Sequence, residues 1–270
     1  MNGLRAELAR VGIRGRLAQR IELELEDHLH CDPAANLGAP REIAECFAAE
    51  LSVSRTRRST YAGFAALAFA AVAILVSARG GGPSIPGARG WVESLGGLGV
   101  LFAGQVAFVA GVLSLWRALR HPEAPAELRL VQRRTSVALA AGGVALGAHA
   151  IQAVAVQPFM STLWVAFAVV ATLVPAVALG VAAQGLRGAI TLTPAVEPLR
   201  PPFPRQSVLV VGVTAAAAMV VGSAFVERSW AEGISRGVLE SIAFAVCFVV
   251  FGRPLGIRAQ GSESGVDSVA

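Results

Sequence analysis

The chain has 270 residues, 54% of them hydrophobic and 15% charged, against about 45–50% and about 25% in soluble globular domains. With a mean hydropathy of +0.61 and three cysteines, it is too apolar for a disordered chain, too poor in cysteine for a disulfide scaffold and atypical of a soluble enzyme. A polytopic membrane protein remains, and the formal charge of +5 acquires meaning only from where it lies.

All 23 basic residues are arginine, as a GC-rich bacterial genome would produce. The first 60 residues carry nine arginines and nine acidic residues, and no apolar run before Tyr61 is long enough for a signal-peptide core. A retained polar N-terminal domain is therefore expected. Leu4, Leu8 and Val11 suggest a short helix broken near Gly12 and Gly15. Leu17, Ile21, Leu25, His28 and Leu29 form a helical stripe, so Leu17 to His30 reads as an amphipathic helix. After a turn through Asp32-Pro33 and Gly38, Pro40 suits the first position of a third helix, with Ile43, Cys46, Phe47, Glu50 or Leu51 on its buried face. So small a core calls for packing against the bilayer, a partner protein or a second copy.

From Tyr61 onward, six stretches are apolar enough to cross about 30 Å of hydrocarbon: about 61–78, 92–116, 135–156, 162–183, 207–226 and 237–252. Ten arginines fall in loops or tail on one side of these spans and four on the other. The positive-inside rule then places both termini in the cytoplasm. The N-terminal 60 residues and the external segments each sum to zero charge, so the whole +5 lies in the cytoplasmic loops and tail. The basic pI records membrane topology, and no direct nucleic-acid partner is expected. The expected fold is all-α: a cytoplasmic three-helix domain at 1–58, a six-helix transmembrane bundle at 59–258 and a disordered cytoplasmic tail at 259–270.

An arginine followed closely by Ser or Thr opens the odd spans, at Arg58-Ser59-Thr60, Arg134-Thr135-Ser136 and Arg205-Gln206-Ser207. Three repeated hairpins would give this pattern, and so would the positive-inside rule alone. Five prolines between Pro194 and Pro204 read as a stiff linker.

Arg20-Ile21-Glu22-Leu23-Glu24-Leu25-Glu26-Asp27-His28-Leu29, followed by Leu37-Gly38-Ala39-Pro40-Arg41-Glu42-Ile43-Ala44 and Phe47-Ala48-Ala49-Glu50-Leu51, resembles the HAAS-type signalling domain and the related permease-prefix domain of bacterial membrane proteins. The resemblance covers roughly residues 4 to 58. It implies a small helical domain leading into membrane spans and a cytoplasmic partner, such as the PadR-like transcriptional regulators encoded beside such proteins. Here Ala39 replaces a helix-capping aspartate, a loss of about 1 kcal/mol, and the segment between Leu29 and Leu37 is shorter than the family's.

Partner contact is assigned to Ile43, Phe47 and Leu51 together with Asp27 and His28. Within the spans, Gln105, His149 and Gln152 are the polar candidates, because polar groups in hydrocarbon turn toward the bundle interior. Glu93, Glu227 and Glu240 stand near span ends and could join His149 in a proton-responsive or ligand site. Arg55, Arg57 and Arg58 precede the first span, where anionic lipid would attract them. Asp27, His28, His30, Cys31 and Asp32 can ligate metal, but a structural site needs four convergent ligands and only Cys46 could complete the set, so neither metal nor cofactor is expected. Protease, hydrolase and Walker motifs are lacking. The resulting expectation is a non-enzymatic regulatory protein of the bacterial inner membrane that binds a cytoplasmic partner or a second copy. The alternative is a transporter or permease subunit with a path near Gln105 and His149.

Overall fold

The computed structural model describes residues 3–32, 38–80, 91–120, 122, 124–156, 161–198, 212–213, 215–217, 219–222, 224, 230–252 and 255. Every regular element among them is a helix: α1 (Leu4–Arg10), α2 (Arg16–Cys31), α3 (Pro40–Gly80), α4 (Trp91–Leu119), α5 (Pro125–Val156), α6 (Thr162–Leu192) and α7 (Trp230–Gly252). The described residues between 212 and 224 are also helical. The 259–270 tail, the chain from 199 to 211, Glu227, and the side chains of Glu93 and Cys247 lie outside what is described.

Leu4 and Leu8 are one turn apart and both buried, so α1 has a single apolar edge. Gly12 ends it at φ 91°. The Ile13 N–H donates to Leu8 O at 2.8 Å and the Gly12 N–H to Ala9 O at 3.2 Å, a Schellman closure that brings the buried side chains of Leu8 and Ile13 together. Gly15, at φ 67°, then turns the chain into α2. At the start of α3, Pro40 needs no partner for its missing N–H. The Glu42 carboxylate accepts from the Ala39 N–H at 3.4 Å, supplying one half of a capping box where the aspartate is missing.

α1, α2 and the first turns of α3 share one apolar cluster with Leu192 at the far end of α6. Its α3 face differs from the expected one. Ala44 and Ala48 are the buried residues, Ile43, Phe47 and Leu51 flank them half-buried, and Cys46 and Glu50 are exposed. Two alanines one turn apart let the neighbouring helices approach closely, while the larger side chains fill the edges. Leu17, Ile21 and Leu25 of α2 join the cluster, but Asp27 and His28 point to solvent. Glu24, one turn before His28, accepts from Arg20 at 2.8 Å.

The domain boundary expected near 58 falls inside α3, where the backbone does not change. The third helix and the first span are one element of 41 residues, about 60 Å long at 1.5 Å per residue, twice the hydrocarbon thickness. Likewise α5 begins at Pro125, ten residues before its expected span, and α6 continues to Leu192 rather than 183. The helices continue because the polar side chains near these ends find partners within the bundle.

Four helices are long and apolar enough to cross a bilayer: α3 through Ser77, α4 from Gly99, α5 through Ala153, and all of α6. α3 packs chiefly on α6 and α4 on α5, while α5 also meets α6, and α7 packs on α4. Gly63 and Gly142 allow the α3 and α5 backbones to approach each other. A Cβ on Gly63 would lie 2.9 Å from Leu139 Cδ2, and one on Gly142 would overlap Leu67.

Candidate functional site

The densest polar interior lies at the end of the bundle next to α1 and α2. Along α3, Ser52, Thr56, Ser59 and Thr60 are all buried, spaced so that they share one face. Opposite them α5 supplies Gln132, Arg134 and Thr135, α4 supplies Ser114, and α6 supplies Thr193, all buried. Polar groups this deep must pair with one another, and most do so through α5.

Gln132 is the central contact. Its amide donates to Thr56 Oγ1 at 3.0 Å and to Thr193 Oγ1 at 2.7 Å, joining α3, α5 and the end of α6. Three residues earlier, Arg129 donates to the carbonyls of Thr193 at 2.5 Å and Pro194 at 3.0 Å. A cation there suits the negative end of the α6 dipole. Arg134 donates from Nε to the Leu255 carbonyl at 2.9 Å, just past the end of α7. Thr135 Oγ1 lies 2.9 Å from Thr60 Oγ1 and 2.5 Å from Ser114 Oγ, so three hydroxyls link α3, α5 and α4. A small cavity between these helices adjoins them, closed on its apolar side by Phe64, Leu67 and Leu139. Arg117 of α4 pairs with Glu127 at the start of α5.

The network is not saturated. Gln132 Oε1 and Nη2 of Arg134 are buried without a partner among the described residues, and so is Nε of Arg57. A buried orphan costs about 1–3 kcal/mol.

The other sites read from the sequence are dispersed. Gln105 is buried on α4, with its amide 3.5 Å from Met219 Sδ. His149 is buried on α5 and reaches α3, where Nε2 lies 3.1 Å from Ser77 Oγ. Ser77 has a single proton and donates it to Ile74 O at 2.9 Å, so Nε2 of His149 carries the hydrogen between them. The indole of Trp164 donates to the Ser77 carbonyl at 3.3 Å, bringing α6 into the same contact. Gln152 packs on Gly96, where a Cβ would collide with it. Gln105 and His149 thus contact different helices, and the path expected between them is not assembled by these contacts. Glu240 is half-buried on α7.

Of the three arginines before the first span, Arg57 donates to Tyr61 Oη at 3.4 Å and stacks on its ring, Arg55 lies against α6, and Arg58 is exposed. Arg10 of α1 ties back to α3 through Glu45 at 3.2 Å, and Arg41 shares that carboxylate at 2.9 Å. Hydrogen bonds from Arg41 and then Arg10 hold the Glu45 carboxyl below its ordinary range. Among the described residues no group of three or more His, Cys, Asp or Glu is arranged to hold a metal ion.

Sequence reasoning missed Gln132 and Thr193 altogether and read Arg129 only as one of the ten topology-setting arginines. It did single out the arginine-hydroxyl motif, whose two described copies meet: Thr60 and Thr135 are hydrogen-bonded to each other. The third copy, Arg205-Gln206-Ser207, lies outside the described residues. No protein-family model matches the chain, and neither the curated proteins nor the solved structures include a match.

Proposed function

We propose that this chain is a regulatory protein of the bacterial inner membrane that acts by binding rather than catalysis. In this reading six helices cross the bilayer, both termini are cytoplasmic, and α1, α2 and the start of α3 form a HAAS-like domain. That domain presents a surface to a cytoplasmic protein, a PadR-like regulator being the partner class its resemblance implies. The observation that carries the reading is the continuity of α3. One helix contributes Ala44 and Ala48 to the N-terminal cluster and Ala66 and Ala70 to the cluster among the spanning helices. A rotation or tilt of α3 within the bundle must move the N-terminal helices with it, or break their contact with Leu192.

The half-burial of Ile43, Phe47 and Leu51 against α1 and α2 supports a partner surface exposed by rearrangement. Gln105 and His149, turned to different helices, give no support to a shared substrate path. The test is co-purification of the full chain with a PadR-like transcriptional regulator of the same cell, in wild type and in a variant with one alanine inserted after Val53. That insertion rotates the N-terminal cluster by about 100° relative to the spans. Recovery changed at least severalfold, with the variant still membrane-inserted and helical, supports the coupling; equal recovery refutes it. No recovery even from wild type removes the partner class.

A further inference from the structure

We propose that the seam between α3 and α6 binds the phosphate headgroup of an anionic phospholipid through Arg55, Arg58 and Arg187. Arg55 reaches across the seam, with Nη1 3.5 Å from where a Cβ on Gly188 would stand. It therefore lies beside the residue that follows Arg187 in α6. On a helical wheel Arg58, Arg55, Gly188 and Arg187 follow in that order along one outer side of the antiparallel pair. Arg58 and Arg187 are exposed and Arg55 is half-buried. Among the described residues none of the three has a hydrogen-bond or carboxylate partner, whereas Arg10, Arg20, Arg41 and Arg117 each have a carboxylate.

The apolar surface leading to these arginines selects a lipid over a free anion. On α3 the outward positions after Arg58 are Ala62, Ala65, Phe69, Val72 and Val76, all exposed and spaced four, three, four, three and four residues apart. Phe69 is 51% and Val72 58% exposed. On α6, Leu173 and Val177 are 58% and 67% exposed on the face that Arg187 ends. An acyl chain laid along these stripes brings a headgroup phosphate to the arginines, which match it as charged hydrogen-bond donors. A free phosphate would use the arginines alone.

The experiment uses the purified full chain in nanodiscs and in neutral detergent. Phosphatidylglycerol, phosphatidylcholine and inorganic phosphate are compared for thermal stabilisation, and retained lipid is counted by native mass spectrometry. Phosphatidylglycerol is expected to be retained and to stabilise, with phosphatidylcholine and phosphate inert. Each of Arg55→Gln and Arg187→Gln should weaken retention about fivefold, while Arg133→Gln, an exposed arginine of α5 away from the seam, leaves it unchanged. Arg55→Lys and Arg187→Lys keep the charge and report whether a loss comes from misfolding: they retain lipid if the site is electrostatic. Equal retention by the double Gln variant, equal retention of phosphatidylcholine, or stabilisation by inorganic phosphate matching that by lipid each overturns the proposal. None of these outcomes depends on a protein partner.

Discussion

The two ends of the helix bundle are held together differently. Next to α1 and α2, side chains from α3, α4 and the end of α6 converge on α5: Thr56, Thr60, Ser114 and Thr193 meet Gln132 and Thr135, while Arg129 and Arg134 hold carbonyls beyond α6 and α7. At the opposite end, the hydrogen bonds of His149 with Ser77 and of Trp164 with the Ser77 carbonyl accompany close packing of small residues. There Gly99 faces Ala148, where a Cβ would lie 3.0 Å from the alanine's own. Polar contacts are directional and have few acceptable arrangements, whereas small-residue packing tolerates sliding and tilting. The first end is therefore the joint with the more defined geometry, the pivot that the proposed coupling of spans to N-terminal helices requires.

Breaking the pivot should cost most. Gln132→Ala leaves Thr56 without its partner and removes the link to Thr193, and the expected loss is about 2 kcal/mol. Unfolding in mixed micelles measures it, and Gln132→Leu, similar in volume and free of the orphaned Oε1, should recover part of that loss. A null effect of Gln132→Ala would mean that α5 is not the hub. At the other end, Ser77→Ala leaves the Nε2 hydrogen of His149 unpaired, for about 1 kcal/mol in the same assay. A larger loss than for Gln132→Ala would reverse the ranking of the two ends.

What could be read from the sequence follows from physics that is local or collective. The apolar content of α3 to α6 predicts spanning helices because every residue in a span adds to the same signal, and Gly12 and Gly15 mark the α1–α2 turn because few other residues accept positive φ. The α3 face was misread because Phe47 and Ile43 are larger and more apolar than Ala44 and Ala48. Close helix approach buries the small residues, and a hydrophobicity stripe cannot show how near a neighbour will come. Gln132 was invisible because its partners are 76 and 61 residues away in sequence, and nothing in its own neighbourhood distinguishes it from a solvated glutamine. Thr60 and Thr135 were legible as a pattern, yet the same pattern follows from the arginines that topology requires. Their contact is a fact of three-dimensional packing.

A double-mutant cycle isolates that contact. Thr60→Val and Thr135→Val each also disturb the void and the Ser114 hydroxyl, so only the coupling term bears on the pair. The expected coupling is about 0.6 kcal/mol, the usual size between buried polar groups of membrane helices. A value near zero would leave Gln132 as the polar tie between α3 and α5 at this end of the bundle among the described residues.

The smallest effect belongs to the exposed latch outside the spans. Glu45 is solvated and shared by Arg41 and Arg10, and its carboxyl is held low in the folded chain. A group with a depressed folded pKa stabilises above its unfolded value, and that contribution disappears as pH falls through the folded value. Acidification through the carboxylate range, or added salt, should therefore loosen α1 from α3, read as lower amide-exchange protection factors in Leu4–Arg10. Glu45→Gln should make those protection factors independent of pH while the bundle keeps its stability. The asymmetry matters for the pivot: solvent conditions that weaken the Glu45 latch are expected to leave Gln132, Thr56 and Thr193 paired and Leu4 and Leu8 in the apolar cluster, so the change is confined to the ionic tie between α1 and α3.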